Sequence, residues 1–97
     1  MDEQLAFLSH RQNDMVAVAV RDVAEGHAEY ASLDAGVRRP IDVLEPIKLG
    51  HKVALVAISK GDEVIEYGQK VAIATADIAV GALVHVHNVR SARWQLA

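Results

Sequence analysis

The chain has 97 residues, a net charge of −3 and no cysteine. This length supports one hydrophobic core, so we expect a single domain over residues 1–97. The charge and the lack of any Lys/Arg cluster argue against nucleic acid or an anionic membrane as a partner. The lack of cysteine excludes disulfides, thiol catalysis and cysteine-bound metals. No apolar run is long enough to span a membrane, and the acidic start is unlike a signal peptide, so we expect a cytoplasmic protein.

The first clear pattern along the chain is an alternation of two small aliphatic residue types at Val16–Val20. Three valines fall on one face and two alanines on the other, which is typical of a β-strand. Similar patterns predict short strands at Lys52–Ile58, Val64–Tyr67, Val71–Thr75 and Leu83–Val89. Glycine turns separate them. Because hydrophobic residues make up 52% of the chain and aromatics only 4%, we expect a compact all-β domain with a small-aliphatic core.

Two segments show no decisive pattern. Leu5–Gln12 fits either an edge strand or a single helical turn. Ala31–Pro46 contains both prolines and a pair of arginines, which favours an exposed excursion between two halves of the sheet.

A short internal repeat is anchored on glycine. It is visible in Val18–Gly26, Val53–Gly61 and Ile73–Gly81, where a β-branched residue lies three positions before the glycine. The unequal spacing excludes a solenoid, and we interpret the repeat as a strand-and-turn unit that forms the corners of a small barrel.

The histidine pair His85 and His87 is the clearest candidate for chemistry. On a strand, the two imidazoles would share one face about 6.5 Å apart and could bind one metal ion together with ligands from elsewhere. The alternative is that both face solvent on an amphipathic strand, with Val84 and Val86 in the core.

Three neighbours extend this candidate site. His51 follows Gly50 at the start of a predicted strand, where its side chain can be presented to a ligand, and it is a third candidate for the site. Lys52 can bind a carboxylate as a point charge or simply face solvent at a strand end. Asn88 offers an amide donor and acceptor to a polyhydroxylated ligand.

The remaining polar residues fit ordinary surface roles. Asp62, Glu63 and Glu66 surround a turn and a strand, where a catalytic pair is conceivable, but Lys60, Asp62 and Glu63 together are typical of an ordinary charged turn. His10 and His27 lie in polar or turn contexts, and we assign them no role.

Several motifs in order resemble one known family. They are Asn13–Ala19, Gly50–Leu55, Ile58–Gly68, Ala74–Gly81 and Val84–Asn88. Together they resemble the amino-terminal SAF domain of the altronate and galactarate dehydratase family. This resemblance implies a β-clip fold, a small folded sheet.

The resemblance also implies a two-part enzyme. The chain would be the small subunit beside a large catalytic lyase subunit, either in a sugar-acid hydro-lyase or in a sulfolactate sulfo-lyase, and the sequence does not separate the two. The implied chemistry is β-elimination from a small sugar acid or sulfo acid with a divalent metal, Fe²⁺ or Mn²⁺. The large subunit would hold most of the metal, while His51, His85 and His87 complete the site or contact the acid.

Two other classes of function remain open from the residues alone. A free-standing binding module would use the histidine face to hold a small acid without a partner. A structural assembly domain would form a homo-oligomer, with Trp94 and Leu96 as anchors of the interface.

Overall fold

The computed structural model describes residues 4–91, and this part of the chain contains nine β-strands and no helix. The strands are β1 Leu5–Ser9, β2 Val16–Ala19, β3 Gly26–Ser32, β4 Arg38–Val43, β5 Lys52–Ala54, β6 Glu63–Glu66, β7 Gln69–Ala74, β8 Leu83–Val84 and β9 Val89–Ser91. The all-β prediction is therefore confirmed. Trp94 and Leu96, the predicted anchors of an interface, lie outside the described residues.

The strands form two sheets. The larger has six strands in the order β4-β3-β1-β2-β5-β8, and the smaller has three in the order β6-β7-β9. All pairs are antiparallel except β1 with β3. Leu5–Gln12 therefore contains neither an edge strand nor a helical turn. Its first half is a central strand that pairs with β3 on one side and β2 on the other, and Ala6 and Phe7 are both fully buried in one core cluster.

The prediction of an exposed excursion at Ala31–Pro46 is wrong. This segment completes β3, turns and forms β4, with Gly26 opposite Val43 and Ala31 opposite Arg38 at the two ends of the ladder. Its proline at position 40 is tolerated because β4 is the edge strand of the larger sheet, where a missing N–H breaks no interior ladder.

Successive residues of the central strands fill two different cores. In β2, Ala17 and Ala19 pack in the first cluster, whereas Val16 packs in the second. In β5, Val53 and Ala54 are divided in the same way. Since side chains alternate across a strand, the larger sheet is buried on both faces here, and small residues fit this crowded layer. The predicted alternation is correct, but neither face is exposed along these strands.

Each copy of the glycine-anchored repeat forms a corner, which here means a β-branched bridge residue and the glycine turn that follows it. The described residues contain four such corners. Three were predicted, and Ile47, three residues before Gly50, is the fourth, which the sequence analysis missed. The buried β-branched residues meet in two isolated bridges, Val23 with Ile47 and Ile58 with Ile78.

Two aspartates close these corners in equivalent ways. Leu49 N–H donates to Asp22 Oδ1 at 2.9 Å, and Lys60 N–H donates to Asp77 Oδ1 at 2.8 Å. Each aspartate precedes the bridge residue of one corner and binds the turn of its partner corner. The repeat is therefore a construction of paired corners. The strand predicted at Lys52–Ile58 is shorter in the structure and ends at Ala54, because Ile58 belongs to a corner.

Candidate functional site

A groove of about 420 Å³ opens between the two sheets. Its apolar lining comes from both sheets and consists of Val16, Val64, Val71, Ala72, Val84, Val86 and Val89. Its polar lining consists of His51, Lys52, His85, Arg90 and Ser91. A concave, mostly apolar surface with a few convergent polar groups is the usual form of a small-molecule site.

Two of the predicted residues enter the groove from one corner of the fold. Gly50 has a φ of 85°, which lets the chain turn sharply into β5. His51 follows, and its carbonyl accepts from Ala19 N–H at 2.8 Å, which ties this segment to β2. Lys52 is the first residue of β5 and lies opposite Val84 of β8. The corner thus brings His51 and Lys52 to the wall of the groove.

The predicted strand Leu83–Val89 is wrong. Strand β8 ends at Val84, a tight turn covers residues 85–88, and β9 begins at Val89. The turn follows from the chemistry of Asn88, whose Oδ1 accepts from His85 N–H at 3.0 Å while its Nδ2 donates to Leu83 O at 2.8 Å. These bonds fold the amide back on the backbone, as Asn side chains commonly do in turns.

This turn separates the predicted histidine pair. His85 lines the groove, whereas His87 is exposed on the turn and does not line it. Val84 is buried as the alternative interpretation expected, but Val86 is 80% exposed at the tip of the turn. Asn88 is buried, and its amide is engaged in the turn.

The partner that the structure gives to His85 is His51. The two rings stack with centroids 4.8 Å apart and planes 13° apart. An imidazole nitrogen binds a metal through a lone pair in the plane of its ring. Nearly parallel rings direct these lone pairs along parallel planes, so the pair is not arranged to bind one ion.

A carboxylate that the sequence suggested only as a conceivable member of a catalytic pair also belongs to this region. Glu66 is the last residue of β6, and its Oε1 lies 2.6 Å from Lys52 Nζ. The side chain of Glu66 is only 10% exposed, whereas that of Lys52 is 37% exposed. The signal was present in the spacing, because Glu66 is two residues after the buried Val64 and therefore faces the same interior.

The other polar candidates lie in ordinary surface roles. Asp62 Oδ2 accepts from Ser59 N–H at 3.0 Å within a turn, and Glu63 pairs with Lys70 at 3.0 Å on the surface. His27 lies 3.6 Å from the exposed Asp42.

The described residues 4–91 contain no group of three or more His, Asp or Glu side chains arranged to hold a metal ion. Nor is any helix that could cross a membrane found in this part of the chain.

Comparisons with known proteins agree on one family. The family model described as the altronate/galactarate dehydratase SAF domain matches residues 5–92. The altronate dehydratase of Bacillus subtilis (strain 168) is 36% identical over 86 residues, which are 89% of this chain and 16% of that protein. The altronate dehydratase of Escherichia coli (strain K12) is 44% identical over 78 residues, 80% of this chain and 15% of that protein.

A much shorter relative matches over nearly its full length. The (2R)-sulfolactate sulfo-lyase subunit alpha of Chromohalobacter salexigens is 30% identical over 90 residues, 91% of this chain and 96% of that subunit. The chain thus spans about one sixth of the two altronate dehydratases but nearly the whole of this subunit. Since the family model covers almost all of the sequence, the chain belongs to the altronate/galactarate dehydratase SAF domain family.

Proposed function

We propose that this chain is the small, SAF-type part of a sugar-acid hydro-lyase, and that its groove binds the acid at the boundary with a large catalytic partner. The observation that carries the proposal is the convergence of His51, Lys52 and His85 on one wall of an apolar groove. The family match and the names of the two altronate dehydratases support the reaction class. Because the chain spans only 15–16% of those proteins, most of the catalytic machinery would come from elsewhere.

The groove offers two kinds of group to such an acid. An ammonium group such as that of Lys52 donates up to three hydrogen bonds and attracts a carboxylate. A neutral imidazole such as that of His51 or His85 offers one hydrogen-bond donor and one acceptor. In a β-elimination, a base takes the proton next to the carboxylate and an acid protonates the leaving hydroxyl group. We assign carboxylate binding to Lys52 and propose that one imidazole contacts the hydroxyl groups of the acid.

A divalent ion of the Fe²⁺ or Mn²⁺ type remains part of the proposal only with a partner. The described residues do not fit a resident ion by themselves, because they form no group of three ligands and the two groove imidazoles are stacked. A partner chain would therefore have to supply most of the ligands. Joint binding of one ion by His85 and His87, which both lie in the 85–88 turn, stays a prediction.

A second candidate, the small subunit of a sulfolactate sulfo-lyase, is favoured by one observation. The Chromohalobacter salexigens subunit alpha is 30% identical to this chain over 96% of that subunit. In this case the groove would bind a sulfo acid, and sulfite would leave in place of hydroxide.

The experiment that tests both candidates is reconstitution. The full 97-residue chain is combined with the larger protein that co-purifies with it, and the mixture is assayed on altronate, galactarate and sulfolactate with Fe²⁺ or Mn²⁺. We expect no turnover by the chain alone and dehydration of a sugar acid by the mixture. Sulfite release from sulfolactate alone would favour the second candidate. Tight binding of an acid by the chain, with no larger protein recovered, would contradict both and favour a binding module.

Two variants make this assay specific to the groove. His85→Ala is expected to lower kcat/KM of the reconstituted enzyme by about tenfold, as is usual for the loss of one hydrogen bond to a ligand. His27→Ala is the matched control, because that imidazole is exposed and does not line the groove. Equal activity of the two variants would remove His85 from the site.

A further inference from the structure

We propose that Glu66 is a positioning residue that holds the ammonium group of Lys52 at the groove wall, ready for the carboxylate of the acid. This inference rests on the proposed function, since it names the device that prepares the same groove. It assigns a role to a carboxylate that does not itself line the groove and so does not touch the acid.

The geometry of the pair supports this role. Lys52 belongs to β5 of the larger sheet and Glu66 to β6 of the smaller one, so the contact of 2.6 Å joins the two walls of the groove. The carboxylate is nine-tenths buried, while the lysine is more than a third exposed and lines the groove. An ammonium group has three N–H donors, and the bond to Glu66 uses one. Two donors therefore remain for a ligand.

The contact with Glu66 lowers the entropy cost of fixing the Lys52 side chain when the acid binds. A free lysine loses much of its rotamer entropy when a ligand fixes it. Because Glu66 already restrains the ammonium group, part of that cost is met before the acid arrives, and binding is stronger. Stability alone is a poor explanation, since a buried ion pair is often no more stabilising than an apolar pair of similar volume.

The backbone beneath Glu66 is itself fixed. Its neighbour Tyr67 donates its N–H to Asp14 Oδ1 at 2.7 Å and adopts a φ of 56°, a left-handed conformation that only a well-determined environment maintains in a tyrosine. Asp14 is 3% exposed and also accepts from two N–H groups in its own loop. The end of β6 is thus anchored, and the carboxylate of Glu66 has a defined position.

The test is an NMR titration of the full chain with galactarate, using wild type, Glu66→Gln and Lys52→Met. We expect wild type to bind and Glu66→Gln to bind roughly tenfold more weakly, because the glutamine keeps the shape but loses the charge that restrains Lys52. Lys52→Met is expected to abolish binding. The matched control is Glu63→Gln, which lies on the same strand as Glu66. It breaks the exposed pair of Glu63 with Lys70 of β7 and should bind galactarate like wild type.

A further variant keeps the test decisive if an unpaired charge unfolds the chain. Lys52→Met combined with Glu66→Leu removes the pair without leaving either charge alone, so it should fold and fail to bind. Galactarate affinity of Glu66→Gln equal to that of wild type would overturn the positioning role while leaving the proposed function intact. No binding of galactarate by folded wild type, either alone or in the reconstituted complex, would overturn both. Equal weakening by Glu63→Gln would show a general charge effect and overturn the inference.

Discussion

The four corners share one construction, but the glycine of the corner at Ile78 is far more tightly enclosed than those of the other three. Val23 and Ile47 meet in the first core cluster, and Ile58 and Ile78 meet in the second. The corners at Ile47 and Ile78 each lead into a wall of the groove. His51 directly follows the corner at Ile47. His85 follows β8, which is the strand after the corner at Ile78. The stacked imidazoles therefore come from corners of different cores.

The difference lies in the space around each glycine. A Cβ at Gly50 or Gly61 would meet nothing within 4 Å, whereas a Cβ at Gly81 would lie 1.9 Å from Asp42 O. Leu44 N–H also donates to Gly81 O at 2.9 Å, so β4 lies directly against this corner. The corner that leads to His85 is thus the more tightly packed one, and its geometry depends on strands distant in sequence.

The largest expected effect comes from Gly81→Ala. The added methyl group overlaps a backbone oxygen and the φ of 87° disfavours any side chain, so we expect a loss of about 3–5 kcal/mol in the free energy of unfolding. Gly61→Ala has a similar φ but open space, and should lose only about 1–2 kcal/mol from backbone strain. Urea denaturation measures both. Equal losses would show that the contact with β4 has no energetic role.

The next effect concerns the loop that joins the two cores. Asp14→Ala removes the acceptor of three backbone N–H groups, those of His10, Arg11 and Tyr67. Hydrogen bonds to a charged group are individually strong, so we expect a loss of about 2–4 kcal/mol in the free energy of unfolding. Asp34→Ala is the control, because this exposed carboxylate accepts from Gln12 N–H at a weak 3.4 Å. A change of the same size in both variants would contradict the prediction.

A smaller effect on stability, with a larger one on function, is expected from Asn88→Ala. Loss of the two amide bonds should cost about 1–2 kcal/mol and loosen the turn that stacks His85 on His51. Asn88→Asp keeps the acceptor for His85 N–H but sets a second oxygen against Leu83 O, so it should lose at least as much. Thermal unfolding and the activity of the reconstituted enzyme measure the two effects. Full activity in Asn88→Ala would show that the shape of the turn does not matter.

The same contacts explain which strands could be predicted from the sequence and which could not. Strand β2 was predictable because its alternation is local and regular. Strands β3 and β4 were not, because their polar residues and Pro40 hide a ladder that is set by pairing with β1 and by an edge position. The repeat revealed three corners, but the corner at Ile47 lacks the preceding alanine-rich strand and was missed.

The candidate site was predictable to a similar extent. The motifs that resemble the SAF family indicated His51, Lys52 and His85, which the structure brings to one groove. The placement of His85 and His87 on one strand was wrong because it ignored the tendency of Asn88 to form a turn, while their binding of a metal ion stays a prediction. Glu66 was overlooked because its partner lies in another sheet, and only the i, i+2 relation to Val64 indicated that it faces inward.

The smallest effects are expected at the aspartates that close the corners. Asp22→Ala and Asp77→Ala each remove one bond to a backbone N–H in an exposed turn, so each should lose about 0.5–1.5 kcal/mol in the free energy of unfolding. Because the two corner pairs lie in different core clusters, the double variant should lose the sum within about 0.5 kcal/mol. Urea denaturation of the three variants forms a double-mutant cycle. A coupling larger than that would show that the two cores form one cooperative unit through the strands they share, and that the stacked imidazoles sense changes at either corner.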